Sequence, residues 1–192
     1  MNKITKNEIT AVILAGGQAS RMDGEDKGLI VFRELPLIAH VVNVVESKVS
    51  QILISANRNF EEYANFGKVI SDDLEGYQGP LAGISKALKV SSTPYLLVLP
   101  CDSPLVDASL IDSLIEKMEV SQADICVAHD GSIMHATFAL MKTKVEKSLE
   151  EFLEEGGRKM ALWYRQQSLE RIDVSSHLEV LTNINRPEDF NL

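Results

Sequence analysis

Two basic side chains beside a pair of glycines are the first groups in this sequence that could do chemistry. Gly16-Gly17 is followed by Arg21 and then by Lys27. Adjacent glycines let backbone N–H groups approach an anion without a Cβ in the way. Arginine adds a rigid fork of donors for phosphate oxygens, and lysine adds a point charge. The pattern therefore indicates a loop that could neutralise a triphosphate.

The glycine pair on its own has a plainer explanation, because two glycines after a strand often form no more than a tight turn. The segment also lacks two common nucleotide-binding motifs. No Gly-Lys-Ser/Thr string follows the glycines, and Gln18 stands where a dinucleotide fingerprint needs its next spaced glycine. We therefore interpret the segment as a phosphate-binding loop of another kind.

A carboxylate follows the most apolar segment of the chain. Asp102 comes just after residues 95–99, and Asp72 ends another apolar run. In a parallel sheet, ligands bind beyond the carboxyl ends of the strands. Mg²⁺ takes one or two carboxylates and completes its shell with water and substrate phosphates. Asp102 is therefore a candidate metal ligand; the alternative is an aspartate that caps the next turn or helix.

The segments around these residues alternate between strand and helix patterns. Short apolar runs predict buried strands, and apolar residues at helical spacing predict helices between them. The predicted strands cover residues 10–14, 51–56, 68–71, 95–99, 124–129, 137–141 and 169–174, and the predicted helices cover 37–49, 60–66, 80–89, 105–118, 143–155 and 159–167, with a last turn from Pro187. Asp130-Gly131 predicts a tight turn before an antiparallel strand. The pattern is typical of an α/β fold with a mostly parallel, doubly wound sheet, in one domain of residues 1–192.

Charge and composition exclude several classes of protein. The formal net charge is −9, and the longest basic cluster is Arg158-Lys159, which argues against nucleic acid or an anionic membrane as a partner. No segment reaches the roughly 18 uninterrupted apolar residues of a membrane helix. Cys101 and Cys126 lie in or beside apolar runs without metal-ligand spacing, which is typical of buried, reduced thiols. We expect a cytoplasmic protein.

Three strings resemble one enzyme family. The Leu-Ala-Gly-Gly…Arg-Met…Asp-Lys string from Leu14 to Lys27, the Pro-Cys-Asp-Ser-Pro string around Asp102, and the Gly-Pro-Leu-Ala-Gly string from Gly79 to Gly83 resemble the molybdenum cofactor guanylyltransferase family. The motifs occur in that family's order, and the resemblance covers nearly the full chain. It implies the three-layer α/β sandwich of the nucleotide-diphospho-sugar transferases.

The resemblance also implies the site. It assigns catalysis to Arg21, Lys27 and Asp102, a Mg²⁺ ion to Asp102, and nucleotide binding to Leu14, Ala15, Gly16, Gly17, Lys27, Ser55, Asp72, Gly79, Pro80, Leu81 and Asp102. Two positions depart from the family pattern. Asp23 replaces the more usual glycine, and Ser55 replaces an asparagine that contacts the nucleotide in relatives.

The activity implied by the resemblance is transfer of GMP from GTP to the terminal phosphate of molybdenum-bearing molybdopterin, with release of pyrophosphate. Other cofactor-biosynthesis or molybdoenzyme-maturation proteins are further candidate partners. The loop signature is shared widely across this superfamily, so a transferase that uses CTP on molybdopterin, or an NTP on a sugar phosphate, remains an alternative. A non-catalytic GTP- or pterin-binding module is a third interpretation; the presence of both Lys27 and Asp102 argues against it.

Three later motifs have two interpretations each. Asn183 and Asn185 either cap the last helix or order the acceptor side of the site. His135 is more often a structural histidine than a catalytic one. The segment 156–159, Gly-Gly-Arg-Lys, either faces an acceptor phosphate or forms an ordinary helix junction.

Overall fold

The computed structural model describes residues 3–16, 26–71, 79–185 and 189, and this part of the chain contains nine strands and six α-helices. The strands are β1 (Ile9–Leu14), β2 (Val31–Phe32), β3 (Leu35–Pro36), β4 (Gln51–Ser55), β5 (Lys68–Ile70), β6 (Tyr95–Pro100), β7 (Ile125–His129), β8 (Met134–Lys142) and β9 (Leu169–Asp173). The helices are α1 (Leu37–Val45), α2 (Phe60–Tyr63), α3 (Pro80–Val90), α4 (Ala108–Ser121), α5 (Glu146–Glu154) and α6 (Met160–Tyr164). Short 3-10 turns occupy Lys6–Glu8, Lys27–Leu29, Thr143–Val145 and Leu178–Leu181.

Seven strands form one sheet in the order β5-β4-β1-β6-β8-β7-β9. All neighbours in it are parallel except β8, which runs antiparallel to both β6 and β7. The carboxyl ends of the six parallel strands therefore meet at one edge, called here the carboxyl edge. The strand order reverses between β1 and β6, which is the place where an open α/β sheet opens a ligand crevice.

Helices cover both faces of the sheet, because successive strand residues point to opposite sides. Ala11 and Ile13 of β1 face one layer, and Val12 between them faces the other. The front cluster joins that first face to α1, α2 and α4, through buried residues that include Ile38, Val41, Tyr63, Leu110, Ile111 and Leu114. The back cluster joins the second face to α3, α5 and α6, through buried residues that include Leu81, Ile84, Leu149, Phe152, Trp163 and Tyr164. The predicted three-layer, mostly parallel α/β architecture is confirmed.

The strand and helix predictions are correct in type, and several of their boundaries are wrong. The helix expected over 105–118 begins only at Ala108, because the Asp107 carboxylate accepts a hydrogen bond from the Leu110 N–H at 3.0 Å and acts as the N-cap. The helix expected over 37–49 ends at Val45. The strand expected over 137–141 starts earlier, at Met134, and is antiparallel as predicted. The turn expected from Pro187 lies outside the described residues.

The β2–β3 hairpin was not predicted from the sequence. Its two turn residues, Arg33 and Glu34, have φ values of 46° and 73°, and neither is one of the glycine or asparagine residues that signal such turns. Phe32 of this hairpin packs in a small buried patch with Leu37 and Ile184. The hairpin thus joins the start of α1 to the C-terminal segment. No helix in the described part of the chain is long and apolar enough to cross a membrane.

Candidate functional site at the carboxyl edge

Three strand ends meet beneath the start of the predicted phosphate loop. The Ala15 N–H donates to the Ser55 carbonyl at 2.9 Å, and the Cys101 N–H donates to the Leu14 carbonyl at 3.1 Å. These bonds hold the chain leaving β1 between the ends of β4 and β6. Gly16 follows, close to the Asn57 side chain. Gly17, Arg21 and Asp72 lie outside the described residues.

The pair Lys27–Asp102 forms the centre of the described site. Lys27 lies in the 3-10 turn after the phosphate loop, and Asp102 lies two residues beyond β6. The Lys27 Nζ donates to Asp102 Oδ2 at 2.8 Å, and the two side chains are 27% and 13% exposed. The structure thus brings together two of the three residues predicted to be catalytic, although 75 positions separate them in sequence.

Two asparagines from the C-terminal segment complete this centre. Asn183 Nδ2 donates to Asp102 Oδ1 at 2.6 Å, and Lys27 Nζ donates to Asn185 Oδ1. Both carboxylate oxygens of Asp102 are therefore engaged, one by a cation and one by an amide. Of the two interpretations of this motif, the structure favours a place in the site: the asparagine side chains bind the central pair. The Asn185 N–H also donates to the Asp189 carboxylate at 2.7 Å.

An apolar residue anchors these asparagines. Ile184 stands between them, is fully buried against Phe32 and Leu37, and its N–H donates to the Asp102 carbonyl at 2.8 Å. Adjacent side chains in an extended segment point to opposite sides. Burial of Ile184 therefore turns both asparagines toward the polar centre, a role that the sequence analysis missed because a lone isoleucine carries no motif.

Asp26, the residue before Lys27, is a buried structural carboxylate. It is 7% exposed and accepts hydrogen bonds from Arg58 Nε at 2.9 Å, Asn59 Nδ2 at 3.2 Å and the Tyr63 hydroxyl. Burial, followed by the nearby Cys101 and the hydrogen bond to Asp26, raises the pKa of Tyr63, so its hydroxyl stays a donor. This cluster fixes the turn that carries Lys27.

The two cysteines are free and buried, as predicted. Burial raises the pKa of the Cys101 thiol far above its usual range, and burial is also the main cause that raises the pKa of Cys126 to about 11. Neither thiol is therefore ionised near neutral pH, and neither is suited to be a nucleophile.

The start of α3 packs against the ends of β1 and β4. Gly79 has φ of 75° and open space at its Cα, and Pro80 occupies the first helical turn. Leu81 is fully buried in the back cluster, so only its backbone can face a ligand. A methyl group on Gly83 would overlap the Ser55 hydroxyl and lie 3.1 Å from Ser55 Cβ. The close packing of α3 on β4 therefore leaves little room for a side chain at position 83.

The oxygen atoms around Lys27 suit a hard cation. Asp102 contributes a carboxylate, and the amide oxygen of Asn185 shares the same lysine nitrogen. Among the described residues, no group of three or more His, Cys, Asp or Glu side chains could hold a metal alone. One carboxylate with neutral oxygens fits Mg²⁺ that arrives with a nucleotide, because Mg²⁺ keeps water and phosphate ligands.

The basic segment after α5 has a structural role. Arg158 Nη1 donates to the carbonyls of Leu153 at 2.8 Å and Gly157 at 2.7 Å. Gly156, with φ of 84°, ends α5. These contacts favour the helix-junction interpretation for this segment.

The crevice, the lysine–aspartate pair and the mostly parallel sheet define an α/β enzyme of the nucleotidyltransferase class. The family described as "MobA-like NTP transferase domain" matches residues 11–171. The molybdenum cofactor guanylyltransferase of Shewanella sediminis (strain HAW-EB3) is 42% identical over 182 residues, which cover 94% of this chain and 93% of the relative. The chain therefore belongs to the MobA-like NTP transferase family, together with the molybdenum cofactor guanylyltransferases.

Solved structures show the same fold at lower identity. Molybdopterin-guanine dinucleotide biosynthesis protein A from Archaeoglobus fulgidus superposes with a TM-score of 0.77 at 20% identity, covering 95% of each chain. The 4-diphosphocytidyl-2C-methyl-D-erythritol synthase from Anaerococcus prevotii superposes with a TM-score of 0.72 at 11% identity, covering 97% of this chain and 96% of that one. The expected nucleotide-diphospho-sugar transferase fold is confirmed.

Proposed function

We propose that this protein, acting as one domain of residues 1–192 in the cytoplasm, transfers GMP from GTP to the terminal phosphate of molybdenum-bearing molybdopterin and releases pyrophosphate. The observation that carries the proposal is the Lys27–Asp102 pair at the switch point of the sheet, 2.8 Å from Nζ to Oδ2. The names of the curated relatives, at 42% identity for the Shewanella sediminis protein, support the choice of substrates.

The acceptor phosphate needs no strong base to attack. A phosphate monoester carries roughly −1.5 to −2 charge at pH 7, so an oxygen anion is already present. The enzyme's main contribution is then to align two anionic substrates and to neutralise the charge that develops between them. Lys27 and Arg21 supply that positive charge in the proposal.

Nucleotide binding uses the residues around the crevice. Leu14, Ala15, Gly16 and Gly17 present backbone groups to the phosphates, Ser55 and Asp72 bind the nucleoside, and Gly79, Pro80 and Leu81 border the base through their backbone. Ser55 is only 7% exposed and its hydroxyl lies against Gly83, so it contributes to the nucleoside site through its packing against the start of α3. Gly17, Arg21 and Asp72 enter the proposal from the motif alone.

Mg²⁺ would be held by Asp102, with the amide oxygen of Asn185 beside it, and would supply neutralisation of the triphosphate. Lys27 already neutralises Asp102 Oδ2 in the free protein. We infer that Lys27 leaves this oxygen and binds a phosphate when nucleotide enters. The positive charge that the phosphate needs is therefore already at the site before the nucleotide binds.

A thermal-shift panel with Mg²⁺ and GTP, CTP, ATP or UTP in turn tests the nucleotide assignment. A ligand at 100 times its Kd stabilises a fold by about 2.7 kcal/mol, which is readily measured. Selective stabilisation by GTP supports the proposal. Selective stabilisation by CTP or UTP would indicate a different nucleotidyltransferase of the same fold, with molybdopterin or a sugar phosphate as the acceptor.

A further inference from the structure

A histidine–aspartate pair lies at the carboxyl edge, outside the Lys27 centre. His135 Nε2 lies 2.8 Å from Asp130 Oδ2, and Asp130 Oδ1 accepts from the N–H groups of Ser132 and Ile133 at 2.8 and 2.7 Å. These hydrogen bonds hold the pKa of the Asp130 carboxyl well below its usual range, and the bond with His135 has the largest effect. A carboxylate fixed from three sides fixes the orientation of the imidazole in turn.

The strand order places His135 on β8, the neighbour of the strand that leads to Asp102. Strands β6 and β8 pair antiparallel, and the last paired positions at this end are Val98 and Ala139. Before Ala139, β8 continues to His135 at the carboxyl edge, beside the chain that leaves β6 toward Asp102. The pairing of β8 with β7 shifts its register in this stretch, from Val127↔Ala139 to Ala128↔His135. Such irregularities often re-aim a side chain next to an active site.

The side chain of His135 points to the front face of the sheet. Met134 and Ala136, on either side of His135, pack against the back cluster, so alternation along β8 turns His135 to the front. Its ring lies edge-on to Phe138 at 6.4 Å between centroids. Phe138 belongs to the front cluster, as do Val106 after Asp102 and Val180 before Asn183. His135 therefore lies on the front face at the carboxyl edge, the edge at which Asp102 also lies.

We propose that His135, oriented by Asp130, binds the phosphate monoester of the acceptor; this inference rests on the proposed function. In this arrangement the Nε2–H donates a hydrogen bond to Asp130 Oδ2, and the second ring nitrogen, Nδ1, donates to a phosphate oxygen. The carboxylate and the phosphate are both hydrogen-bond acceptors, so each of them can pair with one ring nitrogen. His135 is thus a binding residue on the acceptor side, and Asp130 is its positioning residue.

The test is steady-state kinetics of pyrophosphate release with His135→Gln and Asp130→Asn, varying acceptor and GTP separately. His129→Gln is the control for the hairpin itself, because His129 points to the back of the sheet and its Nδ1 accepts a hydrogen bond from the Gly131 N–H at 3.0 Å in the same turn. We expect His135→Gln to raise the acceptor KM tenfold or more, Asp130→Asn to raise it less, and both to leave the GTP KM and the GTP-induced thermal shift unchanged.

Two results would overturn the inference. One is an acceptor KM for His135→Gln within twofold of the wild-type value. The other is an equal rise in the acceptor KM for His129→Gln, which would indicate a general disturbance of the hairpin. Failure of the proposed function itself would be visible separately, because the wild-type protein would then release no pyrophosphate with GTP and acceptor.

Discussion

Lys27 Nζ lies 2.8 Å from Asp102 Oδ2, so a lysine occupies the carboxylate oxygen on which a divalent cation is proposed to bind. Two cations do not share one carboxylate oxygen without strong repulsion. The free protein and the nucleotide-bound protein therefore differ in what neutralises Asp102. The exchange of Lys27 for a metal ion at Asp102 can be tested through metal affinity and transfer activity.

Replacement of Lys27 separates metal binding from catalysis. In Lys27→Met, Mn²⁺ no longer competes with an ammonium group, so we expect its affinity without nucleotide to rise severalfold, as measured by the electron paramagnetic resonance signal of free Mn²⁺. Transfer activity should fall roughly 10²–10³-fold, because a group that stabilises developing charge is lost.

The control for that experiment is Lys48→Met. Lys48 pairs with Asp112 at 2.6 and 2.8 Å, and it lies near the start of β1, at the opposite edge of the sheet. Mn²⁺ affinity and activity should stay at wild-type levels. A drop in Mn²⁺ affinity in Lys27→Met would contradict the competition between lysine and metal.

Gly83→Ala should destabilise the fold although alanine favours helices. The helix propensity gain is at most about 1 kcal/mol. Overlap of the new methyl with the Ser55 hydroxyl should cost about 1–3 kcal/mol. Urea denaturation of Gly83→Ala, Ser55→Gly and the double variant gives the coupling energy. Additive effects would show that the alanine methyl group at position 83 does not clash with the Ser55 hydroxyl.

Ser103→Ala should leave the free energy of unfolding unchanged or raise it by up to about 1 kcal/mol. The Ser103 hydroxyl is fully buried and has no hydrogen-bond partner among the described residues. A buried hydroxyl without a partner is unfavourable, so its removal costs little. Chemical denaturation measures the change. A loss above about 1 kcal/mol would reveal a partner for this hydroxyl.

The lowered pKa of Asp130 predicts a pH dependence of stability. A carboxyl whose folded pKa is depressed stabilises the fold above its unfolded pKa of about 3.9, and this contribution is lost as the pH falls toward the folded pKa. The stability difference between wild type and Asp130→Asn should therefore be full at pH 6 and shrink below about pH 4. Urea titrations at several pH values measure it, and a constant difference would refute it.

Local sequence patterns predicted the strands and helices well, because each buried segment carries its own periodicity. Long-range contacts were harder to predict. Asp26 was noted as part of a motif, but its partners Arg58, Asn59 and Tyr63 lie more than 30 positions away, and no spacing rule connects them. The insertion of β8 between β6 and β7 is likewise set by tertiary packing and not by the pattern of β8 itself.

The candidate site was predicted in part. The motif residues Lys27 and Asp102 meet as expected from strand ends at one edge. The contribution of Asn183 and Asn185 depends on Ile184, which is buried under the β2–β3 hairpin. The turn of that hairpin consists of Arg33 and Glu34, which both have positive φ although residues of these types rarely do. The anchor of the C-terminal segment could therefore not be inferred from sequence.

The most direct test of the central claim is product analysis after incubation of the wild-type protein with GTP, Mg²⁺ and molybdenum-bearing molybdopterin. Mass spectrometry should detect the guanine dinucleotide form of the cofactor together with one equivalent of pyrophosphate, and neither should form when GTP is replaced by CTP. If GTP binds but no dinucleotide and no pyrophosphate appear, the protein is a binding module and the proposed transfer is wrong.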